Sequence, residues 1–167
     1  MNTKALGIYL DDHSALMQGE LELIARCRRS QQPGPLREFL EQLEREVIAQ
    51  QTVVKDVKTR IGSRSTWEGQ IKSGAAWFAE KVGRLKLNGS LFNYSPLSRV
   101  VELESLSVAA GERIGMWNTF DALADADPRL DGITFAFFQK QSEDHLATLA
   151  SYRRAAAMDA FLKTADS

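Results

Sequence analysis

Apolar residues recur along this chain at helical spacing almost from end to end, and stretches of strict apolar–polar alternation are nearly absent. That pattern is the strongest constraint on the fold, because a chain that buries one stripe per 3.6 residues packs as helices, whereas a half-buried strand buries alternate residues. No credible strand emerges, and the fold class expected is all-α. Proline, glycine and capping residues divide the chain into long helices over about 3–30, 35–61, 96–124 and 128–164. Asn2 or Thr3 caps the first, Pro35 and Ser95-Pro96 open the second and third, and Asp127-Pro128 or Asp131-Gly132 opens the fourth.

Residues 63–94 carry Gly69, Gly74, Gly83 and Gly89 and a capping box at Ser65–Glu68, so a shorter helix is expected there. The first and last connections are short and join antiparallel neighbours, while about thirty residues suffice to carry the chain back along a bundle. The expectation is therefore one domain over 1–167, a four-helix bundle of two antiparallel pairs joined by a long crossover. At 167 residues the chain can bury a full core without disulfide or metal.

The 21 basic and 22 acidic side chains nearly cancel, which removes the field that would gather nucleic acid. One cysteine, Cys27, excludes an internal disulfide, and its place on an apolar face marks it as a small buried hydrophobe. With no apolar run of about 20 residues to span a bilayer, a cytoplasmic protein is expected. The segment with Trp77, Phe78, Val82 and Leu85 beside Lys72, Lys81, Arg84 and Lys86 suits an amphipathic helix that packs on the bundle, with membrane or partner docking as the rival. A homo-oligomer stays open. Strings for phosphate loops, dinucleotide turns, nucleophile elbows, zincins and CxxC redox pairs are absent.

Polar residues on the apolar stripes carry the functional information. At about 100° per residue, the first helix places His13 and Glu20 among Leu6, Tyr9, Leu10, Leu16, Met17, Leu23, Ile24 and Cys27. Gln50 lies inside the second helix's stripe, with Glu46 at its edge. In the third helix the column Leu97, Val101, Glu104, Val108, Gly111, Gly115 competes with a flank bearing Leu103, Leu106, Ile114 and Trp117. Ser142 and His145 share the fourth helix's face with Phe138, Leu149 and Tyr152. At about 1.5 Å rise per residue, Glu20, Glu46, Glu104 and His145 come to one level, with His13 and Gln50 near it. An ionised carboxylate there requires a partner, a metal or a proton, so a buried polar layer of His13, Glu20, Gln50 and His145 is expected, hydrogen-bonded within itself. Asp11 and Asp12 point elsewhere and are expected to be solvated.

In helix count, crossover and the positions of Glu20, Glu46, Glu104 and His145 the chain resembles the ferritin-like superfamily, whose di-iron members use two glutamates and two Glu-x-x-His pairs. Tyr9-Leu10-Asp11-Asp12-His13 and Tyr94-Ser95-Pro96-Leu97-Ser98-Arg99 are similar to strings in uncharacterised bacterial proteins of that fold. The resemblance implies iron or another divalent metal at Glu20, Glu46, Glu104 and His145, and a setting in stress or metal handling. Two departures count against it, for Ala49 and Ser142 stand where the pattern needs histidine and glutamate. A non-catalytic or weakly metal-binding bundle is the reading, with a di-iron oxidase or ferroxidase and a helical interaction module as alternatives.

Overall fold

A computed structural model describes residues 1–63 and 95–162. Among them the chain forms four long helices and no strand: α1 (Thr3–Arg29), α2 (Pro35–Arg60), α3 (Pro96–Ala124) and α4 (Phe135–Leu162). The shorter helix expected within 63–94, with Trp77 and Phe78, lies outside the described residues.

The ends follow the sequence signals. The Asn2 side chain accepts from the Ala5 amide at 3.1 Å, and Ser95 accepts from Ser98 at 3.1 Å one residue before Pro96. α2 stops in a Schellman turn: the Ser63 and Gly62 amides donate to the Lys58 and Thr59 carbonyls, each at 3.1 Å, and Gly62 takes φ +68°, where a side chain would be strained. The fourth helix starts later than the sequence suggests. Asp127 caps a single 3₁₀ turn at Pro128–Leu130 and grips the Arg129 guanidinium, and Gly132 at φ +79° turns the chain before Phe135. Asp127 is thereby drawn down to about 2, chiefly by its hydrogen bonds from Arg129.

Cross-helix partners fix the directions. Tyr9 meets Thr119 while Arg26 meets Glu102, so α1 and α3 run antiparallel. Phe39 packs on Tyr152 while Arg60 reaches the Asp131 carbonyl, so α2 and α4 do too. Lys58 pairs with Asp11 and Arg28 with Glu44, which makes α1 and α2 antiparallel, and Arg113–Ser142 with Arg99–Asp159 does the same for α3 and α4. Because α1 is antiparallel to both, the ring α1–α2–α4–α3 leaves α2 and α3 parallel.

All four helices feed one apolar core. Leu10, Met17 and Ile24 share it with Leu43, Val47, Val54, Leu103 and Leu106, and Trp117, Phe120 and Phe135 cluster with ring centroids 5.4 to 6.4 Å apart. Cys27 is buried as expected. Asp11 corrects an expectation: it is largely covered and pairs with Lys58, since the antiparallel α2 brings a cation to it, while Asp12 remains exposed.

Candidate functional site

A buried arginine organises the middle of the bundle. Arg113, on α3, and Glu20, on α1, are each about 1% exposed, and the guanidinium holds both carboxylate oxygens, Nε to Oε2 and Nη2 to Oε1, at 3.0 Å. Two charges this deep persist only when paired with good geometry and further hydrogen bonds. Those bonds come from the other two helices. Nη1 donates to Gln50 Oε1 at 3.1 Å and to Ser142 Oγ at 3.0 Å, and approaches His145 Nδ1 at 3.3 Å. Trp117 Nε1 donates to the same Gln50 oxygen at 2.9 Å, Gln50 Nε2 donates to Gln141 Oε1 at 2.8 Å, and Ser142 donates to the Phe138 carbonyl at 2.8 Å. Every helix contributes, and one guanidinium joins them.

The tautomer of His145 follows from this neighbour. Nη1 offers only hydrogens, so Nδ1 has to present its lone pair, and the ring hydrogen sits on Nε2, which donates to Glu46 Oε2. His145 is then neutral, and its pairing with Glu46 is a hydrogen bond without charge on the ring. Burial is the main cause that lowers its pKa; the Glu46 hydrogen bond raises it, and the Arg113 charge lowers it further. For Glu46, partial burial pushes the carboxyl up, but hydrogen bonds from Gln42 and His145 outweigh it and hold the group below the usual range. Glu20 is pushed up by complete burial, against the pull of Arg113.

Several expected site residues take other places. Glu20, Gln50 and His145 are gathered in one layer, yet Glu20 bonds to Arg113 and not directly to the other two. His13 is buried but stands apart, its ring edge-on to Tyr9 with centroids 4.4 Å apart, and burial lowers its pKa in spite of Glu112 and Asp12. Glu46 sits half-buried at the edge, reaching the layer through His145. Glu104 is a correction: its side chain is 51% exposed, 3.9 Å from Arg153, on the outer face with Val108 and Leu97. α3 turns the other flank inward, Leu103, Leu106, Ala110, Arg113, Trp117 and Phe120, because that stripe carries the larger apolar area.

Arg113 is the residue that sequence reasoning missed. The signal available was its place at i+3 from Ala110 and i−4 from Trp117, in the stripe opposite the chosen column. Glu102, also missed, is buried on the same helix 3.1 Å from Arg26.

This arrangement bears on metal binding. Among the described residues no three His, Cys, Asp or Glu side chains cluster as ligands. A metal on His145 Nε2 would move the ring hydrogen to Nδ1, facing the donors of Arg113, which reverses the outer hydrogen bond that metal-bound histidines make. Both Glu20 oxygens are already held by a cation.

Outside the layer, α2 and α4 flank a cleft of about 460 Å³, lined by Phe39, Gln42, Glu46, Phe137, His145 and Thr148 among others. Glu46, 26% exposed, and His145 lie where the buried layer meets this cleft. No described helix is long and apolar enough to cross a membrane. Comparison of the chain with known protein families, characterised proteins and solved structures finds no match to any of them.

Proposed function

We propose that this chain is a ferritin-like bundle that binds rather than catalyses, with a guanidinium where the ferritin-like pattern would hold metal. The parallel α2 and α3 and the antiparallel pairs support the ferritin-like assignment. The observation that carries the non-catalytic reading is the bidentate Arg113–Glu20 pair, extended to Gln50, Ser142 and His145. Its one positive charge satisfies a carboxylate that would otherwise require a metal, a proton or another partner, and Ala49 and Ser142 supply no ligand in their places. The setting in this reading is the cytoplasm, where a lone buried thiol such as Cys27 stays reduced.

Elemental analysis of protein purified without chelator, followed by anaerobic ferrous titration, tests it. Far less than one iron per chain is expected, with no change on Glu104→Ala. Close to two irons per chain, lost on Glu20→Ala, would make a di-iron oxidase the correct description.

A further inference from the structure

The cleft between α2 and α4 holds a carboxylate, Glu46, that no Lys or Arg among the described residues pairs with. His145 touches Glu46, but its Nδ1 faces the donors of the Arg113 guanidinium, an arrangement that favours the neutral ring. Arg113 lies behind, and its own charge is matched by Glu20. Lys140 and Asp144, also lining the cleft, pair with each other along α4 and cancel. Arg45, next along α2, adds a weak attraction. Arg45 does not line the cleft, and across the described groups that line or back it, Glu46, His145, Arg113, Glu20, Lys140 and Asp144, one negative charge remains, on Glu46.

The walls add a second feature. Phe39 lines the cleft and is backed by Tyr152 with centroids 5.5 Å apart, and Phe137, mostly exposed, stands edge-on to Phe138 at 5.2 Å. Aromatic faces beside a carboxylate in a concave site recognise an organic cation, through a charge-assisted hydrogen bond to the head and apolar or cation–π contact with the body. A hydrated Ca²⁺ or Mg²⁺ ion fits worse, since it requires more oxygen ligands than one carboxylate provides. An anion meets the uncompensated charge directly.

We propose that this cleft binds a small organic ammonium compound with an aromatic or apolar body, its cationic head on the Glu46 carboxylate and its body laid along the cleft toward Phe39. The inference rests on the binding reading above and gives it a ligand class.

The test is a ¹H–¹⁵N NMR titration of the full chain at neutral pH with phenethylammonium, 2-phenylethanol and 3-phenylpropionate. Phenethylammonium is expected to shift the amides of Gln42, Glu46 and Thr148 and to bind at least about tenfold more tightly than the alcohol, with no binding of the carboxylate. Glu46→Gln, which keeps an acceptor for His145, should lose at least about tenfold, while Asp12→Asn, removing an exposed remote charge, should change affinity by less than about twofold. Equal binding of alcohol and ammonium, unchanged affinity in Glu46→Gln, or no shifts at tens of millimolar would overturn the proposal. So would a His145 imidazolium signal in side-chain ¹⁵N spectra at neutral pH. Metal content is read separately: a failed titration of iron-free protein removes this ligand class and leaves the non-catalytic reading standing, whereas stoichiometric iron removes that reading itself.

Discussion

Arg113 and Glu20 face each other across the centre of the bundle through two bonds of 3.0 Å, both side chains almost wholly removed from water. Neither charge is tolerable there alone, and each is the reason the other can remain. Because the third guanidinium nitrogen reaches Gln50 and Ser142, the pair also fixes the register of α2 and α4 against α1 and α3.

Arg113→Met should therefore cost about 3–5 kcal/mol, since it strands the Glu20 carboxylate in the core. The Glu20→Met/Arg113→Met double variant removes both charges and should recover much of that loss. Urea denaturation of the two variants measures the difference, and a double variant no more stable than the single would contradict the account of Glu20 as the stranded charge.

The histidines set the pH response near neutrality. His13 and His145 both titrate below the ordinary histidine value, burial being the main cause for each. With a lowered folded-state pKa, the unfolded chain takes up protons first as the pH drops. Stability is thus complete above the unfolded value of about 6.5 and declines as pH falls through it toward the lower folded values. Denaturant midpoints at mildly acidic pH should lie below those at slightly alkaline pH, and His145→Gln should flatten the slope. A midpoint that rises over the same interval would contradict the neutral state of both rings.

The outer face of α3 supplies a test of its rotation. Among the described residues nothing lies within 4 Å of where a Cβ would stand at Gly111 or Gly115, and both are in helical backbone. Alanine at each should stabilise the protein by about 0.5–1 kcal/mol, and Glu104→Ala should change stability by no more than about 0.5 kcal/mol. Thermal melts of the three variants decide this. Destabilisation by either glycine substitution would put that column back inside the bundle.

Much of this protein was legible in its sequence because it is set locally. Periodicity, the caps at Asn2 and Ser95, and the prolines at 35 and 96 determine helices regardless of what they pack against. The burial of Glu20, Gln50 and His145 followed from the same arithmetic, since α1, α2 and α4 each bear one dominant apolar stripe. α3 bears two, and only packing chose between them. The choice sent Glu104 to solvent and Arg113 inward, replacing a ligand-like set of carboxylates with an ion pair. No spacing rule within one helix reveals a partner ninety-three residues away, and the same limit hid the Lys58 that covers Asp11. Where a stripe is unique, the hydrophobic effect makes burial a property of the segment. Where two stripes compete, as on α3, it becomes a property of the whole bundle, because the charge that enters the core is settled by what the other helices can offer it.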